Sequence, residues 1–137
     1  MFEAKRKVDV EVEPEKQQTP DHQCCTKFAE LMKHELDENA ALKKGRASWL
    51  KNSAMDHVLQ TYYHTGKLQV ALKELMMVET SPGTSRSKIE FLKAQVREYA
   101  ADVGNHAMMV LDTLEILGIP HPPKKEKEKV EKYDTFS

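Results

Sequence analysis

No stretch of this sequence reaches the roughly 18 consecutive apolar residues a membrane-crossing helix needs, and no apolar leader opens it. Its two cysteines, Cys24 and Cys25, are adjacent, and the planar trans peptide between them resists the geometry of a disulfide. A disulfide framework is excluded, and a soluble protein of a reducing cytoplasm is expected, with no membrane partner. An excess of one charge is also lacking. The 21 basic and 22 acidic side chains leave a formal charge of −1, so no basic field exists to hold a phosphate backbone, and nucleic acid is not an expected partner. Missing too are G-x-S-x-G, the P-loop, G-x-G-x-x-G and C-x-x-C. His57, His64 and His106 do not fall at zinc-site spacing and read as surface or interface residues.

What is present is helix. From Lys88 to Leu117 there is one glycine and no proline, and apolar residues recur at 89, 92, 96, 99, 103, 107, 110, 114 and 117. That spacing of three and four predicts an amphipathic helix of about eight turns whose seam something must cover. Ser87 and Glu90 have the form of a capping box at its start, and Gly118-Ile119-Pro120 that of a stop. Its opposite face carries Glu98, Asp102, Asn105 and Met109.

Two further helices precede it. Thr19-Pro20 reads as an N-cap followed by a first-turn proline. The helix it starts should run to about Ala41 with Cys24, Phe28, Leu31, Met32, Leu36 and Ala40 inward, before Lys43-Lys44-Gly45-Arg46 breaks it. Asn52 or Ser53 can cap a second helix with the stripe Met55, Val58, Leu59, Tyr62, Leu68, Ala71, Leu72, Leu75 and Met76. Gly66 in its middle marks a kink or a close backbone approach, because glycine there costs about 1 kcal/mol against alanine. Residues 80–87 form a loop. The fold class is therefore all-α: an antiparallel bundle of three long helices, with a second copy covering the surplus apolar surface. Residues 1–18 read as a flexible arm, 19–118 as the domain and 119–137 as a charged, mobile tail.

Chemistry would concentrate on the third helix. Glu98 and Asp102 lie one turn apart, as a divalent-cation site requires, although a charged helix contains such pairs by chance and a solvated face explains them as well. Asp102 is more informative. Within AADVGNHAMMV it has small or apolar neighbours, so it needs a metal, a cation or hydrogen bonds. Met76-Met77 and Met108-Met109 read as core filler. Trp49 is a plug or a surface on which a base stacks, and the plug is the plainer reading.

Phe28-Ala29-x-Leu31-Met32, Asn39, Lys44-Gly45, Trp49, Ala71-Leu72 and Ala100-Ala101-Asp102-Val103-x-Asn105-x-Ala107-Met108-Met109 together resemble the small MazG-like proteins of bacteriophages. These belong to the all-α nucleotide pyrophosphohydrolase superfamily, and the resemblance spans residues 26 to 117. It implies a helical dimer, or a dimer of dimers, in the cytoplasm of a bacterial host. It also implies magnesium-dependent cleavage of nucleoside triphosphates, with the metal held by an E-x-x-E box and an E-x-x-D box. Aligned on their flanking residues, the boxes fall on His64 and Lys67 and on Tyr99 and Asp102, so one carboxylate of four remains.

An imidazole, an ammonium and a phenol cannot supply the hard, charged oxygens magnesium requires. The expectation is a family fold with a degenerate box and no resident cofactor, in which Lys67 pairs with Asp102 in place of the metal. Lys44, Trp49, Asp102 and Asn105 would then hold a nucleotide or a nucleotide-like signal without hydrolysing it. One alternative is a helical interaction module that contacts a host or phage protein. Another is an atypical magnesium-dependent pyrophosphohydrolase in which Glu98 helps Asp102 hold the ion.

Overall fold

The computed structural model describes residues 18–43 and 45–123, and the expected N-terminal arm and most of the charged tail fall outside them. Every regular element among the described residues is helical: α1 (Pro20–Lys43), the single turn α2 (Arg46–Trp49), α3 (Ala54–Glu79) and α4 (Arg86–Thr113). No helix among them is long and apolar enough to cross a membrane.

The start of α1 is as its sequence suggests. Thr19 Oγ1 accepts from the His22 N–H at 3.3 Å, and Pro20 fills the first turn, where its missing N–H leaves nothing unsatisfied. The chain turns out of α1 at Gly45, whose φ of 62° is a left-handed conformation that a side chain would strain. Ser53 caps α3 in a closed capping box: its hydroxyl accepts from the Asp56 N–H at 3.0 Å, and the Asp56 carboxylate accepts from the Ser53 N–H at 2.9 Å.

Two expected boundaries move. The cap of α4 is Ser85, whose hydroxyl accepts from Lys88 N–H at 3.2 Å, so Ser87 lies in the first turn. At the other end the helix stops before Gly118. The Ile116 N–H reaches the Leu111 carbonyl and the Glu115 N–H the Asp112 carbonyl, both at 3.0 Å, which is a Schellman closure. Its left-handed residue is Glu115, at φ 61°. A non-glycine residue pays a steric penalty in this position, so Glu115→Gly is expected to stabilise the fold by about 1 kcal/mol. The urea midpoint should rise accordingly, and an unchanged midpoint would mean that the glutamate conformation is not strained.

Helix α4 is central, packed along α3 on one side and against α1 on the other. Both of its sides are therefore used. Leu92 and Ala101 are 1% exposed, and Asn105 and Met109, expected on an open face, are buried as well. The Asn105 side-chain amide donates to the Met32 carbonyl of α1 at 3.1 Å. The close approach expected at Gly66 occurs at Gly104 instead. A Cβ there would sit 2.8 Å from the Phe28 ring and 3.3 Å from the Met32 sulfur, so the missing side chain is what lets α1 lie against α4.

Gly66 meets nothing within 4 Å, and α3 runs through it without a break. Gly66→Ala should therefore raise stability by about 1 kcal/mol through helix propensity alone. A fall in melting temperature would show that the glycine has a conformational role.

The packed face of α3 is rotated from the expected one. Val58, Leu68, Ala71 and Leu75 of the expected stripe are buried or half-buried together with His57, Thr61, His64 and Val78, whereas Met55, Leu59, Tyr62, Leu72 and Met76 are exposed. The apolar stripe is wider than one neighbouring helix can cover, and the register that satisfies α4 turns two histidines inward. On α1, Cys24 and Ala40 are likewise exposed rather than inward, while Phe28, partly exposed, lays its ring on Gly104 of α4 as expected. Its covered positions are Leu31, Met32, Glu35, Leu36 and Asn39, all half-buried.

Candidate functional site

Where α1 crosses α4, Glu35 meets Glu98 and Asp102, with one carboxylate oxygen from each lying within 4.8 Å of the others. Helix spacing puts Glu98 and Asp102 one turn apart on α4, and the crossing angle supplies the third acid. They face a cleft of about 390 Å³ that Glu38, Asn39, His64 and His106 also line. Burial, then the charges of Asp102 and Glu98, push the Glu35 carboxyl above its usual range. Repulsion of this kind is relieved by a proton or by a cation. Three carboxylates from two helices match the oxygen donor set of a magnesium-type ion, so the residues present fit one even though the positions expected from the resemblance do not.

A row of imidazoles continues from the acids. His64 Nδ1 is 3.7 Å from Asp102 Oδ2. The His64 and His106 rings stack at 5.0 Å with 15° between their planes, and His57 follows at 5.7 Å from His106. His57 is 2% exposed, and its Nε2 donates to the Trp49 carbonyl at 2.9 Å. This row leads into a second, larger cleft of about 630 Å³. Trp49, His57, Leu36, Leu59 and Met109 give that cleft an aromatic and apolar wall, and Asn39, Asp56 and Gln60 give it polar groups. Asn39 and His106 line both clefts, which therefore adjoin.

Bonded to Trp49 but outside the cleft lining is Asp112, 1% exposed. Arg46 of α2 grips it with two parallel bonds, Nε to Oδ2 and an η-nitrogen to Oδ1, both at 2.8 Å. Trp49 Nε1 adds a third bond to Oδ2 at 2.9 Å. The same guanidinium donates to the carbonyls of Pro120 at 2.9 Å and Ile119 at 3.0 Å, and His121 bonds the Asp112 carbonyl. The first residues beyond Gly118 are thus tethered to the helices. These bonds, Arg46 foremost, hold the Asp112 carboxyl down at about 2 despite its burial.

The residues expected to carry chemistry separate into four places. Asp102 and Glu98 stand in the acidic cleft, and His64 rather than Lys67 faces Asp102. Lys67 sits 4.7 Å over the Tyr99 ring of α4 and 5.3 Å from that of Tyr63, a cation–π arrangement between α3 and α4. Trp49 lines the larger cleft, whereas Asn105 is committed to holding α1. Lys44 lies outside the described residues.

Sequence reasoning missed Glu35 and the Arg46–Asp112 pair. For Asp112 a signal was available, since an acid inside MMVLDTLEIL needs a partner as much as Asp102 does. For Glu35 none was, because it lies in the evenly charged run KHELDEN.

No family model, no curated protein and no solved structure matches this chain.

Proposed function

We propose that this chain is a MazG-like relative that binds a nucleoside polyphosphate together with a divalent cation and does not hydrolyse it. The observation that carries this reading is the adjacency of the two clefts. Three carboxylates suited to a cation stand beside an aromatic-walled cavity large enough for a base and sugar, with Asn39 and His106 shared between them. A bound cation would screen the polyphosphate from Glu35, Glu98 and Asp102, which would otherwise repel it. Loss of turnover follows from the family boxes. Hydrolysis needs charge placed on both the attacked and the leaving oxygens, and His64, Lys67 and Tyr99 replace three of the four acids that would organise it.

A thermal-shift screen with magnesium and a panel of ribo- and deoxynucleoside triphosphates tests the reading. A ligand at a hundred times its Kd adds about 2.7 kcal/mol, so the melting temperature should rise by several degrees with a triphosphate and by less without magnesium. No rise across the panel would contradict it.

Two observations favour other readings. The Glu35, Glu98 and Asp102 cluster also suits an atypical magnesium-dependent pyrophosphohydrolase. The exposed Met55, Leu59, Tyr62 and Met76 of α3 suit an interaction module, covered by a second copy or by another protein. Light scattering separates a homo-oligomer from a monomer that awaits a different partner.

A further inference from the structure

Trp49 is the chain's only tryptophan, and it is held from both ends. Its indole N–H donates to Asp112 and its carbonyl accepts from buried His57. A half-buried indole on a cavity wall ordinarily keeps some rotamer freedom and loses it on binding a ligand. Here that freedom is removed beforehand, because the carboxylate the indole donates to is itself clamped by the two bonds from Arg46. Arg46 and Asp112 do not line the cleft, so any effect they have on a ligand passes through Trp49.

We infer that Arg46 and Asp112 are positioning residues, holding the Trp49 indole as a preset platform for a planar, π-bearing group such as a nucleobase. The base identification rests on the nucleotide reading above. The positioning role does not. Stacking of a base on an aromatic side chain strengthens binding, and a platform free to swing away forfeits part of that gain.

The test combines iodide quenching of the single tryptophan in the ligand-free protein with calorimetric titration by magnesium and dATP. Asp112→Asn should leave helix content unchanged and raise the quenching constant at least about two-fold as the indole loosens. It should also weaken magnesium–dATP binding about ten-fold, within the range of one stacking contact. Arg46→Lys, which keeps the charge and loses the fork, should fall between Asp112→Asn and the native chain. Unchanged quenching and affinity in Asp112→Asn, with only a lower melting temperature, would make the network purely structural and overturn the inference.

Trp49→Phe guards against failure of Asp112→Asn to fold. It keeps a ring but deletes the donor N–H, so native affinity in this variant overturns the inference and a loss of about ten-fold supports it. If the native chain does not bind magnesium–dATP, the nucleotide reading fails and the quenching comparison alone decides the positioning role.

Discussion

Asp112→Ala is expected to lower the stability of the protein by about 3 kcal/mol, measured as a drop in the urea midpoint at neutral pH. The carboxylate is 1% exposed and receives two bonds from Arg46 and one from Trp49, so its removal leaves two guanidinium donors and an indole N–H without their acceptor. Three segments loosen together: α2, the end of α4, and Ile119 with Pro120, whose carbonyls the same arginine holds.

The pH dependence has a definite sign. Asp112 is lowered from 3.8 to about 2, so between these values the unfolded chain binds more protons than the folded one. Its contribution, about 2 kcal/mol from that shift, is fully present above pH 4 and is lost as pH falls through about 2. Asp112→Asn should flatten the acid limb of the stability curve in that window. Alanine and native chains of equal midpoint would show that the network contributes nothing.

The acidic cleft should behave in the opposite way. Glu35 is raised above 4.5 by burial and by Asp102 and Glu98, so just above that value the folded chain holds the extra proton. Stability from this group is therefore present at low pH and declines as pH rises through the folded pKa. In the absence of divalent cations, Glu35→Gln is expected to raise the melting temperature at pH 7 and to remove that decline. The same variant should weaken magnesium binding about ten- to a hundred-fold, because it takes one charged oxygen donor from three. A variant both more stable alone and less responsive to magnesium is the signature of acids assembled for a cation. Were Glu35→Gln less stable without metal, the cluster would be a satisfied surface network.

Much of the scaffold was legible because helix periodicity and capping are local. The apolar repeat from 89 to 110 and the Thr19-Pro20 and Ser53 starts need no knowledge of the rest of the chain. Choices between near equals were not legible. Ser85 and Ser87 both suit a cap, and the left-handed residue that closes α4 is Glu115, a type that does not advertise the conformation. Nor could the packed face of α3 be chosen. Its stripe exceeds one neighbour's footprint, and only the register against α4 decides that His57 and His64 turn in while Met55 and Leu59 stay out.

The site was legible as a location more than as a constellation. Asp102 declared itself through its apolar neighbours, but the acid that joins it comes from α1, and its imidazole neighbour from α3. Such groupings depend on helix crossings. Lys67 shows the limit of aligning positions without geometry: a one-turn separation from His64 was enough to send its ammonium to Tyr99 instead of Asp102.

The central claim is binding without turnover, and one measurement addresses both halves. Magnesium–dNTP titration of the native chain, followed calorimetrically with pyrophosphate release assayed in the same mixture, should give saturable heat that requires magnesium and no pyrophosphate above the background of the nucleotide alone. Pyrophosphate release that depends on magnesium and disappears in Asp102→Ala would contradict the account and establish an active hydrolase.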